Sequence, residues 1–85
     1  MRNDTDCLLR KILTDVLGLK AGQAETFTLG TGLFGHLPEL DSMAVAGLLT
    51  EMEDRLGIII EDDEVDGELL ESFGSLLAFA EVKRH

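Results

Sequence analysis

Leu8, Leu9, Ile12, Leu13, Val16 and Leu17 recur on one face of a 3.6-residue period. The spacing predicts an amphipathic helix over residues 4–17, with Asp4, Thr5 and Asp6 as caps and first-turn acids and Gly18 as its stop. The period is then lost over residues 19–40, where Gly22, Gly30, Gly32, Gly35 and Pro38 punctuate a long loop. A loop of this length in a small domain is either functional or pinned by its own apolar residues. Leu29, Leu33, Phe34, Leu37 and Leu40 are the expected pins, with a short helical turn among them. Val45, Leu48, Leu49, Met52 and Leu56 restore the helical stripe over residues 42–56, and Gly57 is placed to cap it in the left-handed region. Ile58-Ile59-Ile60 is β-branched, but three residues without a partner make a poor sheet. They read as an extended connector that buries alternate side chains. A short helix is expected over residues 65–70. Ser72 then caps a last helix over residues 73–82, with Phe73, Leu76, Leu77, Ala80 and Val82 facing inward. The sum is an all-α fold: a small four-helix bundle of three main helices and one short one, with a long loop between the first two. Residues 1–85 read as a single domain, without internal repeat or low-complexity tract.

Eighty-five residues can bury a modest core but leave little interior for an enclosed active site. Hydrophobic residues make up 45% of the chain, too many for a disordered tail, and aromatics only 5%, so the core is expected to be aliphatic. The net charge is −10, from 17 acidic against 7 basic side chains. That sign excludes nucleic acid as a natural partner and favours proteins with basic patches, met through salt-sensitive encounters. Cys7 is the single cysteine, so an internal disulfide and a multi-cysteine metal site are both out. Beside Leu8 and Leu9 it reads as a core or half-buried thiol. The lead Met1-Arg2-Asn3-Asp4-Thr5-Asp6 is polar with no apolar signal core behind it, and no apolar run approaches membrane-spanning length. A soluble, cytoplasmic monomer is the expectation.

Leu40-Asp41-Ser42-Met43 carries the chemistry. It sits where the long loop ends and the second helix begins. Asp41 is a natural cap, because a short carboxylate accepts the free N–H groups of a first turn. Ser42 then stands at the positive end of the helix dipole, where a phosphate is electrostatically favoured. A serine near a helix start is common. Here the context singles it out: Asp41 before it, Met43 after it, an acidic amphipathic helix following and a glycine-rich apolar loop leading in.

Three other motifs compete and lose. Gly30-Thr31-Gly32-Leu33-Phe34-Gly35 has the letters of a dinucleotide fingerprint, but Pro38 follows closely and no βαβ unit surrounds it. Asp62-Asp63-Glu64-Val65-Asp66-Gly67 resembles the start of a calcium loop, yet the closing bidentate glutamate is replaced by Phe73. No metal site is expected, and the run reads as a solvated acidic surface. His36 and His85 are isolated, and the G-x-S-x-G elbow of a serine hydrolase is absent, so no catalytic residues are assigned. His36 reads as a loop residue near Ser42.

The motif and its surroundings resemble acyl carrier proteins over nearly the whole chain. The resemblance rests on the leading helix, the long loop, Asp41-Ser42-Met43, the acidic second helix and Ser72-Phe73-Gly74-Ser75-Leu76-Leu77. The family pattern is Leu-Gly-x-Asp-Ser-Leu; here Met43 replaces leucine, Glu39 replaces glycine and Pro38 stiffens the approach. Pro38-Glu39-Leu40-Asp41-Ser42-Met43 is similar to carriers associated with exosortase or exopolysaccharide systems. The resemblance implies a non-catalytic phosphoprotein of lipid metabolism, such as fatty acid biosynthesis. A phosphopantetheinyl transferase would attach 4′-phosphopantetheine from coenzyme A to Ser42, and the arm would carry acyl intermediates as thioesters. Asp41 would orient the transferase or its metal. Met43 and Val45 would offer an apolar landing near the arm, and Glu51, Glu53 and Asp54 would dock acyl-loading or acyl-transferring enzymes through their basic patches. A peptidyl or aminoacyl carrier shares the attachment and differs in cargo. From other classes, the alternatives are an acidic, calcium-responsive interaction domain and, more remotely, an esterase.

Overall fold

Asp4–Leu17 (α1), Ser42–Leu56 (α2) and Phe73–Arg84 (α3) form the three main helices of the computed structural model, which describes residues 4–84. The expectations for Met1, Arg2, Asn3 and His85 lie outside those residues. Each helix buries the central part of its predicted stripe. Leu9, Ile12 and Leu13 of α1, Leu48 and Met52 of α2, and Phe73 and Leu76 of α3 are wholly buried in one core. Burying a side chain of this size contributes roughly 1.5–3 kcal/mol. The fold is the expected all-α bundle, and no regular strand occurs among the described residues.

The helix ends follow their local chemistry. Gly57 closes α2 at φ 67°, ψ 39°, and its N–H donates to the Glu53 carbonyl. Such a left-handed backbone suits glycine, which has no Cβ to clash. Ser72 Oγ accepts the Ser75 N–H at the start of α3 (3.1 Å). Along the connector Ile58 is buried, Ile59 is 71% exposed and Ile60 packs partly against the core, the alternation expected of extended chain.

The long loop contains one 3₁₀ turn, Ala24–Thr26, and is tied down at two places. Arg10, buried on α1, pairs with Asp6 (2.5 Å) and donates to the carbonyls of Ala24 (2.6 Å) and Phe27 (2.8 Å). Further on, the loop runs antiparallel to the approach to α3. Leu33 N–H donates to the Glu71 carbonyl, Phe34 N–H to Leu70, Phe73 N–H to Thr31 and Gly74 N–H to Leu29, at 2.8–3.1 Å. This strap places Phe34 beside Leu70.

Four local expectations are corrected. Leu29 and Phe34 are 64% and 48% exposed and do not pin the loop; Leu19, Ala24 and Phe27 do so instead, with Leu33 and Leu40. Cys7 is exposed, because it shares the solvent stripe of Asp4, Lys11 and Asp15 rather than the face of Leu9. Val82 is 77% exposed, off the face formed by Phe73, Leu76, Leu77 and Ala80. The short fourth helix is reduced to a 3₁₀ turn, Asp62–Glu64, ahead of residues 65–70. Helix is cut short there because Asp66 Oδ1 takes the N–H groups of Glu68 (3.0 Å) and Leu69 (2.9 Å), a side-chain turn that competes with helical bonding.

Candidate functional site

Asp41 holds the start of α2 as its type predicts. Its backbone is extended (φ −98°, ψ −176°), its Oδ1 accepts the Ala44 N–H at 2.8 Å, and its carbonyl accepts the Val45 N–H at 3.0 Å. A cap of this kind contributes about 1 kcal/mol. Ser42 is the first residue of the helix and is exposed. No helical carbonyl precedes the N–H groups of Ser42 and Met43, so this turn presents its donors and its positive dipole end outward.

Ser42 also forms part of the rim of a cleft of about 260 Å³, lined by Phe34, Ser42, Val45, Asp66, Gly67 and Leu70. Three elements build it. Val45 follows Ser42 by three residues and so lies on the same side of α2. Phe34 comes from the long loop and Leu70 from the approach to α3, joined by the Phe34 N–H to Leu70 carbonyl bond of 2.9 Å. Asp66 and Gly67 close the far side from the turn after the 3₁₀ segment. The site therefore combines a reachable hydroxyl, a positively polarised helix end and an adjacent, mostly apolar recess.

The remaining expected site residues distribute unevenly. Met43 is 86% exposed beside Ser42 and does not line the cleft, whereas Val45 does. Glu51 and Glu53 are half-buried and Asp54 is exposed on α2. Glu53 has a structural task, since its Oε2 accepts the Ile60 N–H at 2.9 Å and so fixes the connector. His36 is exposed and is not a lining residue.

Asp66, Gly67 and Leu70 are cleft residues that the sequence did not mark as such. Asp66 and Gly67 drew notice only as calcium-loop letters. In the structure Glu64 is engaged by Lys83 Nζ (2.6 Å), and Asp66 turns back on its own backbone. Lys83 and the Glu61 N–H hold the Glu64 carboxyl below the usual glutamate range. Among the described residues no three metal-ligating side chains gather, and no helix is long and apolar enough to cross a membrane.

No protein-family model and no curated protein matches the chain. Among solved structures it is similar to the solution NMR structure of a holo acyl carrier protein from Nitrosomonas europaea, with 38% identity and a TM-score of 0.84. The match covers 96% of this chain and 96% of that one. Identity at this level across almost the whole of both chains, on the same three-helix frame, makes this chain a member of the acyl carrier protein family.

Proposed function

We propose that this protein carries acyl groups as thioesters on a 4′-phosphopantetheine arm attached to Ser42. The observation that carries the reading is the exposed Ser42 at a capped, fifteen-residue helix start, opening on an apolar cleft. The holo state of the Nitrosomonas europaea carrier supports it. A phosphodiester fits here. The hydroxyl is reachable by a second protein, and the helix end favours the phosphate charge. The prosthetic group, when bound, supplies the thiol that holds the acyl group.

The chain's own residues receive and position. Ser42 Oγ gives up its proton to the transferase and forms the bond to phosphorus, while the bond from that phosphorus to the adenosine 3′,5′-bisphosphate leaving group of coenzyme A breaks. Asp41 fixes the first turn so that Ser42 is presented outward, and its carboxylate faces the incoming transferase. Met43 offers an apolar contact next to Ser42. Glu51, Glu53 and Asp54 supply the negative face that basic partner enzymes read, in a cytoplasmic setting and without catalysis by this chain.

Intact-mass spectrometry tests the proposal directly. Incubation with coenzyme A, magnesium and a broad-specificity phosphopantetheinyl transferase is expected to add the mass of one phosphopantetheine. Ser42→Ala should add none. Full modification of Ser42→Ala, or none of the wild-type chain with several transferases, would overturn it.

A further inference from the structure

The cleft beside Ser42 carries one ionisable side chain among its lining residues, Asp66; Phe34, Val45 and Leu70 make the rest of its walls apolar. The carboxylate is held in place. Its Oδ1 accepts from both Glu68 N–H and Leu69 N–H, and no hydrogen bond to its second oxygen occurs among the described residues. Among the described residues no cation lines the cleft. Lys83 is committed to Glu64, and Arg55 to Asp15 at 2.8 Å. Asp66 is exposed, so its charge acts on a ligand in the cleft with the strength of an exposed ion pair, modest but of one sign. It attracts a cation, and it penalises a like charge that would have to shed water to come alongside. Repulsion of this kind is an efficient source of selectivity.

Size sets the other limit. At roughly 30 Å³ per small group, the cleft holds about eight non-hydrogen atoms, a short acyl group and not a long chain.

We propose that Asp66 makes this cleft a charge filter for short acyl cargo. A group ending in a cationic amine seats in it, a group ending in a carboxylate stays outside, and a neutral group of the same length falls between. The inference rests on Ser42 being the attachment point.

The test loads the protein with hexanoyl, ω-aminohexanoyl or adipoyl groups, using the matching acyl-coenzyme A and a broad-specificity transferase. Intact mass first verifies loading. Methyl NMR of Val45 and Leu70 then reports the fraction of cargo inside the cleft. The amine should exceed the carboxylate by up to about fivefold in inside-to-outside ratio, the upper end of what an exposed ion pair supplies. Asp66→Asn keeps the Oδ1 acceptor for the turn and removes the charge, so it should close most of that gap. Asp62→Asn removes the same charge outside the lining and should leave the gap intact. Equal occupancy for all three cargoes, or a gap that survives Asp66→Asn, would overturn the filter while leaving the attachment at Ser42 standing. Failure to load at all would overturn the attachment itself, and the filter with it.

Discussion

The guanidinium carbon of Arg10 lies 4.4 Å from the centre of the Phe73 ring, joining the first helix to the start of the last. The same group pairs with Asp6 and binds two carbonyls of the long loop. One buried side chain thus fixes α1, the loop and α3 together. Removing it would break the buried pair with Asp6, leave the Phe27 carbonyl without this donor and leave the Ala24 carbonyl with only the Phe27 N–H (3.2 Å). Arg10→Ala should therefore cost about 3–5 kcal/mol, as for other broken buried pairs. Arg10→Lys keeps the charge but loses the planar fork, so its loss should be smaller but clear. Urea denaturation followed by circular dichroism measures both. A wild-type midpoint for Arg10→Ala would contradict the role given to this residue.

Gly74 marks a close approach of the loop to α3. A Cβ built there would lie 2.6 Å from the Leu29 carbonyl oxygen, an atom of the backbone that cannot swing aside. The Gly74 N–H also donates to that oxygen at 2.9 Å. Gly74→Ala should push the loop off α3 and cost about 1–3 kcal/mol, the usual range for overpacking. Amide exchange locates the effect. The Phe34 and Phe73 amides, which hold the strap, should exchange faster, while amides in the middle of α1 change only by the global loss.

Much of this arrangement could be read from local pattern. The apolar period marks the three helices, Asp41 and Gly57 mark the ends of α2, and the β-branched Ile58-Ile59-Ile60 buries alternate residues as extended chain must. Each of these depends on residues a few positions apart. The cleft does not. It exists because backbone bonds hold residues 29–34 against residues 70–74, a pairing that leaves no periodic trace in either segment. Phe34 therefore read as a loop pin and became a cleft wall, and Leu70 read as part of a short helix. Arg10 left a fainter signal. It lies four residues after Asp6, on the face of α1 that also carries Leu9 and Leu13, but charge at that spacing usually marks a solvated surface. Cys7 misled for a related reason, since neighbours in sequence lie about 100° apart around a helix.

Acid should weaken one tie of the C-terminal region in a predictable sense. The hydrogen bond from Lys83, and next the one from the Glu61 N–H, lower the Glu64 pKa in the folded protein. The unfolded chain then takes up this proton at a higher pH than the folded one. The contribution of Glu64 is thus fully present above the ordinary glutamate value and is lost as pH falls through the lower folded value. The stability difference between wild type and Glu64→Gln should accordingly be constant near neutrality. It should shrink below about pH 4.3, the ordinary glutamate value. Denaturation midpoints of the two proteins across that range supply the check. A side-chain carboxyl NMR titration should place Glu64 below the ordinary glutamate value, and Lys83→Met should raise it part of the way, because the Glu61 N–H bond remains.

The acidic face of α2 separates docking from folding at neighbouring positions. Asp54 is exposed, while Glu53 is half-buried and holds the Ile60 N–H. Asp54→Asn should leave the denaturation midpoint unchanged and lower kcat/KM for the phosphopantetheinyl transferase by up to about fivefold at low salt, as expected for one exposed charge at an interface. The loss should fade as ionic strength rises, because screening removes what the charge supplied. Glu53→Ala should behave in the opposite order. Its main effect should be a stability loss of about 1–2 kcal/mol from the connector bond, with a salt-dependent kinetic term no larger than that of Asp54→Asn. If Asp54→Asn instead slowed the transferase equally at every salt concentration, charge steering by this face would be refuted and a direct contact would have to take its place.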